Sequence, residues 1–266
     1  MIIPGLASVT FRQLDPAQVV SVAVDCGLQV VEWGGDVHVP QGAIGTARTV
    51  SALCADYGIE IGTYGSYYKA GQTPESEFDA ALRTAVALRA PRVRVWAGVV
   101  ASAEVTGEQR SRTVADIRRC AEASAAEGIQ LTVEYHVESL TDDIDSALRL
   151  HDEVGHAALV AHWQPRELPE VETCVREVRA LLPELASVHA FSWGADGFTE
   201  RLALADRVDL WDAVLAELAV DGRRREVLLE FVPGDRVDAC KRDAAALRDR
   251  IAAASSDESP EHGHFS

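Results

Sequence analysis

The sequence predicts an α/β protein folded as a closed (β/α)₈, or TIM, barrel. Three observations predict it. Apolar, strand-like runs alternate with helix-like runs eight times along the chain. The repeat is roughly thirty residues long and fills about 250 residues, as eight strand–helix units require and an open doubly wound sheet does not. No linker or composition shift interrupts it, so residues 1–254 read as one domain.

Taken in order, residues 2–9 form the first strand. A helix over about 16–26 follows, with Asp15 as its N-cap, Pro16 at its first position and Gly27 after its last. Residues 29–33 are the second strand, and a helix over about 44–57 stops at Gly58. Residues 59–65, a helix over about 74–89 and residues 92–96 complete the third unit and begin the fourth. The second half repeats the pattern more loosely. A helix over about 106–127, ended by Gly128, leads to a fifth strand at 131–136; helices near 142–154, 170–182 and 208–220 lead to strands at 159–164, 187–191 and 227–231. A last helix over about 236–254 closes the chain. The polar tail 255–266, with His262 and His264, reads as disordered and incidental to function.

Composition bounds the function. The chain has 266 residues, 47% of them hydrophobic and 6% aromatic, which is ordinary for a globular protein. No apolar run reaches the ~18 residues of a spanning helix, and the start lacks a signal-peptide pattern, so a cytoplasmic protein without a membrane partner is expected. A net charge of −17 argues against a nucleic-acid partner, because such binding rests on Lys and Arg at phosphates. The five cysteines, Cys26, Cys54, Cys120, Cys174 and Cys240, are scattered and form neither a disulfide framework nor a thiolate zinc motif. A homo-oligomer is left open.

The chemistry gathers at strand ends. Leu131-Thr132-Val133-Glu134-Tyr135-His136 is a buried strand running into a carboxylate, which is costly unless a cation or hydrogen-bonding site meets it. The next three strands also end in polar side chains able to hold a metal: His162 or Gln164, then His189, then Glu230. Active sites of such barrels lie at the C-terminal ends of the strands. Four consecutive strands delivering these groups to one end predict a metal site. Glu32, Tyr64 and Trp96 fall at equivalent strand ends, and Trp33, Trp96, Trp163 and Trp193 are expected to rim the mouth, covering CH faces while leaving hydroxyls free. Arg94, Trp96, His136 and His38 are further candidate substrate contacts. Glu32 is either one more or a structural partner of Arg94.

On these residues the chain resembles the sugar phosphate isomerase/epimerase group of the xylose-isomerase-like barrels, from its first strand to its last helix. The resemblance is carried by Ser8-Val9-Thr10-Phe11-Arg12, Val31-Glu32-Trp33-Gly34-Gly35-Asp36, Val133-Glu134, Trp163-Gln164-Pro165, Val188-His189-Ala190-Phe191 and Leu229-Glu230-Phe231. It implies Glu, Asp, His and Glu around one divalent cation, with the two glutamates as acid and base. Glu134, His189 and Glu230 match, while Gln164 stands where the aspartate would be. An amide keeps an oxygen donor but loses a charge, and His162, on the same strand face two residues earlier, either supplies a nitrogen or lies deeper in the core. Oxygen donors outnumber nitrogen and no thiolate is positioned, which favours Mn²⁺ or Mg²⁺ over Zn²⁺.

Two carboxylates across a bound ketose can remove a proton beside the carbonyl and return it, with the enediolate oxygen stabilised at the cation. Epimerisation, aldose–ketose isomerisation and keto-inositol dehydration all start this way, and the sequence does not separate them. A barrel that binds a sugar or polyol without turnover is the alternative. Apurinic-site cleavage would need a richer His/Asp/Glu cluster and a basic groove. The loops 193–198 and 233–236 each carry an aspartate, and only Lys69 of the two lysines, with Arg12 and Arg94, lies near the mouth. An unphosphorylated ketose, polyol or keto-inositol is therefore expected.

Overall fold

The computed structural model describes residues 1–167 and 170–256. The expectation for the tail falls on 257–266, outside the described residues, whereas Ser255 and Ser256 belong to the last helix. Strands β1 (Ile2–Ala7), β2 (Val30–Gly34), β3 (Glu60–Lys69), β4 (Arg92–Trp96), β5 (Gln130–Glu134), β6 (Leu159–Trp163), β7 (Leu185–Ala190) and β10 (Arg225–Leu229) form a closed parallel barrel, so the fold is a (β/α)₈ TIM barrel. A two-stranded antiparallel hairpin, β8 (Ser192–Gly194) and β9 (Gly197–Leu202), rises after β7. Helices α1 (Pro16–Asp25), α2 (Ile44–Asp56), α3 (Glu75–Leu88), α4 (Gly107–Ala126), α5 (Ile144–Val154), α6 (Val171–Leu181), α7 (Val208–Ala219) and α8 (Val237–Ser256) complete the units. No helix among the described residues is long and apolar enough to cross a membrane.

The helix starts follow local chemistry. Asp15 and Thr106 each accept a bond from the backbone N–H three residues on, and the Gln18 and Gln109 side chains each accept one from the cap's own N–H, so two exposed donors are satisfied at each end. The β8–β9 hairpin is not among the expected elements, β5 and β10 each end two residues before the expected 136 and 231, and two further elements depart from expectation. β3 runs four residues past Gly65, over a register shift that includes Tyr67 at φ 56°. The end of the first strand instead coils into a 3₁₀ turn at Ser8–Phe11.

Strand parity then divides the barrel. Most apolar residues pack in the shell between strands and helices, whereas Ile3, Val30 and Leu228 form a separate small cluster. Alternate residues of a strand face opposite sides, so Leu228 shares the inner face with Glu226 and Glu230, and Arg94 shares one with Arg92 and Trp96. Near the N-terminal ends Arg92 pairs with buried Glu226. The inside of the barrel is thus apolar only in a thin layer, with charge below it and more charge above.

Candidate active site

The upper charged layer is built by β2, β4, β5, β6, β7 and the end of β10. Arg94 lies between two carboxylates, with Nη2 3.0 Å from Glu32 Oε1 and Nη1 2.6 Å from Glu134 Oε2. All three side chains are almost wholly buried. Trp96, two residues on and on the same face, donates its Nε1–H to the same Glu134 oxygen at 2.5 Å. Glu134 is therefore held by one oxygen, and its Oε1 faces His189.

His189 is the hub. Its Nε2 is 3.1 Å from Glu32 Oε1, while its Nδ1 is 3.0 Å from Glu230 Oε2, 3.3 Å from Gln164 Oε1 and 4.0 Å from Glu134 Oε1. Burial by itself pushes this imidazole toward neutrality, but the charges of Glu230 and Glu32 outweigh it and raise its pKa to about 10. Burial likewise disfavours charge on Glu32, and Arg94 and His189 more than compensate, so its pKa is lowered.

The structure brings Glu32, Arg94, Trp96, Glu134, Gln164, His189 and Glu230 together. His162 lies beneath them, with its ring 4.0 Å from that of His189 and its Nδ1 2.7 Å from Ser187 Oγ. Burial first, then the neighbouring charges of His189 and Arg94, lowers its pKa well below the ordinary value. It is a neutral interior histidine, and its other nitrogen, like Glu32 Oε2, is buried without a hydrogen-bond partner. Among the described residues, Glu32, His162 and His189 offer ligand atoms within 4.8 Å of one another. Two of those three donors are imidazoles, a set that suits a hard divalent cation less well than oxygen donors do.

The donors around His189 Nδ1 suit a hard divalent cation better. Three oxygen donors, from Glu134, Gln164 and Glu230, converge on one ring nitrogen, and the other ring nitrogen is fixed by a carboxylate, the arrangement that orients a ligating histidine. The donor chemistry fits.

Four residues expected at the mouth belong elsewhere. Trp33, one residue from inward-facing Glu32, points the opposite way into the shell and is completely buried, as is Trp163 beside His162. The expectation of four tryptophans at the mouth is corrected to Trp96 and Trp193. His38 packs edge-on against Trp33 and donates to the Phe11 and Leu14 carbonyls; Tyr64 donates to the Val39 carbonyl at 2.9 Å. All four support the shell and not the cluster. His136 does reach the mouth, stacked on Trp96 at 4.4 Å, and Lys69 Nζ sits 5.0 Å over the same indole.

Sequence reasoning missed Tyr67, which bonds Arg12 at 3.0 Å, and the rings of Phe191, Phe198 and Phe231 around Trp193. Parity could have found Phe191, two residues past His189. It could not have found Phe231, whose backbone turns left-handed at φ 50°.

Comparison with known proteins agrees with the fold. Residues 20–168, more than half of the chain, match the family model for the xylose isomerase-like TIM barrel. The chain belongs to this family. No curated protein matches it in sequence. Among solved structures, a "probable 3-DHS dehydratase" from Bacillus anthracis is similar, with TM-score 0.78 at 20% identity over 93% of this chain and 99% of that one. An L-ribulose 3-epimerase has TM-score 0.73 at 14% identity, over 99% of this chain and 100% of that one. A xylose isomerase-like TIM barrel protein from Mycobacterium smegmatis, in complex with magnesium, has TM-score 0.69 at 15% identity over 95% and 98%. At these identities the likeness is one of fold.

Proposed function

We propose that this member of the xylose isomerase-like family is a metal-dependent isomerase or epimerase that moves a proton beside the carbonyl of a small, unphosphorylated sugar or polyol. The observation that carries the reading is His189: one nitrogen is anchored on Glu32, and the other faces Glu134, Gln164 and Glu230 within 4.0 Å. These four residues would hold the cation, Mn²⁺ or Mg²⁺ in preference to Zn²⁺. When bound, it supplies Lewis acidity to a carbonyl or enediolate oxygen.

The protein's own groups divide the remaining work. Glu134 and Glu230 are the acid and base, one taking the proton and the other returning it. Arg94 and Trp96 fix the Glu134 carboxylate through a single oxygen, which sets its direction and leaves the second oxygen free for a proton or a ligand. Glu32 orients the His189 ring. Burial of Glu32, Arg94, Glu134, His189 and Glu230 limits the access of bulk water to an enediolate.

A second reading, loss of a hydroxyl from a keto-polyol, starts from the same proton removal. It is favoured by His136 at the mouth, stacked on Trp96, where an imidazole could protonate the departing hydroxyl.

The test is to measure the metal content of the purified protein, then to incubate the Mn²⁺-loaded protein in D₂O with ketoses, aldoses and inososes and follow the C–H bond beside the carbonyl by NMR. Exchange with conversion to the epimer or isomer is expected, and formation of an enone would choose dehydration. Absence of both bound metal and exchange would leave only a binding barrel.

A further inference from the structure

Beside the charged cluster lies a second recognition surface. A pocket of about 380 Å³ opens over the loops after β5, β6, β7 and β10. It shares Gln164 with the cluster and His136 with the mouth, but Glu32, Arg94, Glu134, His189 and Glu230 do not line it. Its wall is aromatic. Trp193 lies 5.0 Å from Phe191, 5.3 Å from Phe231 and 5.5 Å from Phe198, ring centre to ring centre.

The charged groups of the pocket are already engaged. Arg201 pairs with Asp235 and its guanidinium lies 5.0 Å over Phe231. Arg166 is 2.7 Å from the Tyr135 hydroxyl and 3.3 Å from Glu177. Asp142 accepts the Ser102 N–H, and Glu167 accepts the Phe198 N–H. Each arginine is thus already shared with a carboxylate, and Asp142 and Glu167 repel an incoming anion, whereas the ring faces need nothing displaced except water. Two features of the chain build this wall. The β8–β9 hairpin, an addition to the eight units, carries Trp193 and Phe198. Phe231 follows Glu230 directly in a left-handed conformation, costly for an aromatic residue, which turns its ring onto Trp193.

We infer that the substrate is a sugar or polyol bearing an uncharged aryl substituent, with the hydroxylated part at the His189 cluster and the aryl ring against Trp193, Phe198 and Phe231. This rests on the proposed reaction for the orientation of the ligand, but not for its binding. A free sugar would leave the aromatic wall in water; an aryl ring removes both surfaces from it and gains the offset or edge contacts that aromatic pairs favour.

The experiment is calorimetric titration of the Mn²⁺-loaded full-length protein with phenyl β-glycosides of several pyranoses, each against its methyl counterpart. At least one phenyl glycoside should bind about tenfold or more tighter than the methyl glycoside, the scale of burying a ring against rings. Phe198→Ala, at a half-exposed side chain whose loss spares the core, should reduce that preference at least about threefold, and Phe198→Trp should keep it. If every phenyl and methyl pair binds equally, if none binds, or if the preference ignores Phe198, the inference is wrong. Aryl preference with no proton exchange in D₂O would retain this inference and remove the proposed reaction. Exchange on a free sugar without aryl preference would do the reverse.

Discussion

Arg94 Nη1 lies 2.6 Å from Glu134 Oε2 while its Nη2 lies 3.0 Å from Glu32 Oε1, so one buried guanidinium joins carboxylates delivered by β2 and β5 across the barrel. A cation built into the chain thus neutralises part of the acidic cluster. Glu134, Glu230 and Gln164 are left to face His189 Nδ1.

Arg94→Met should lower unfolding stability at pH 7 by ~3–5 kcal/mol, because it leaves two buried charges without their partner. Since the folded-state pKa of Glu32 is held below its ordinary value, the stability tied to this pair is present above the unfolded value and is lost as pH falls through the folded one. Urea unfolding should therefore show the deficit narrowing toward acid. A deficit under ~1 kcal/mol, the scale of a surface pair, would show that the bridge contributes little.

Glu134→Gln and Glu230→Gln should each reduce turnover by ~100-fold or more, the usual loss for a positioned acid or base. Both side chains are buried, so the amides are chosen to keep shape and hydrogen-bonding. Circular dichroism should be unchanged. Full activity in either variant removes that residue from proton transfer.

How far the sequence could be read depended on parity. Glu134, His189 and Glu230 were legible because each ends an apolar strand where a polar group has no other excuse. The barrel followed from the regular strand–helix repeat. Trp33 and Trp163 were misplaced although each is one residue from an inward-facing group, Glu32 or His162, and neighbours on a strand face opposite sides. The register shift in β3 disturbs that count, so Tyr67 was not found. The β8–β9 hairpin was also invisible: β8 has only three residues, and a Gly-Ala-Asp-Gly turn after a barrel strand reads as an ordinary loop.

Strand six separates ligand from core. Gln164→Asp should tighten Mn²⁺ binding in calorimetry, since it restores a charge to an oxygen donor 3.3 Å from His189 Nδ1. His162→Ala should leave that affinity unchanged and cost ~2–4 kcal/mol of stability, as for other buried side chains cut back to Ala. Weaker Mn²⁺ binding in His162→Ala would make this histidine a ligand after all.

The last expectation concerns pH and a carboxyl far from the site. Asp243 on α8 is buried and accepts the Leu204 N–H at 3.0 Å, but no cation among the described residues bonds it. Burial raises its pKa to about 6, against a partial offset from that hydrogen bond and from Arg242. The folded protein thus holds this proton more tightly than the unfolded chain does. Its contribution to stability is fully present below the unfolded value of 3.8 and is lost as pH rises through about 6. Asp243→Asn keeps an oxygen for Leu204 and removes the charge. At pH 8 the variant should be more stable than the parent by about 1–2 kcal/mol, allowing for partial screening by solvent. Near pH 4 the two should converge. Urea midpoints at both pH values decide it: a variant less stable than the parent at pH 8 would mean that the charged carboxylate serves the fold better than burial alone suggests.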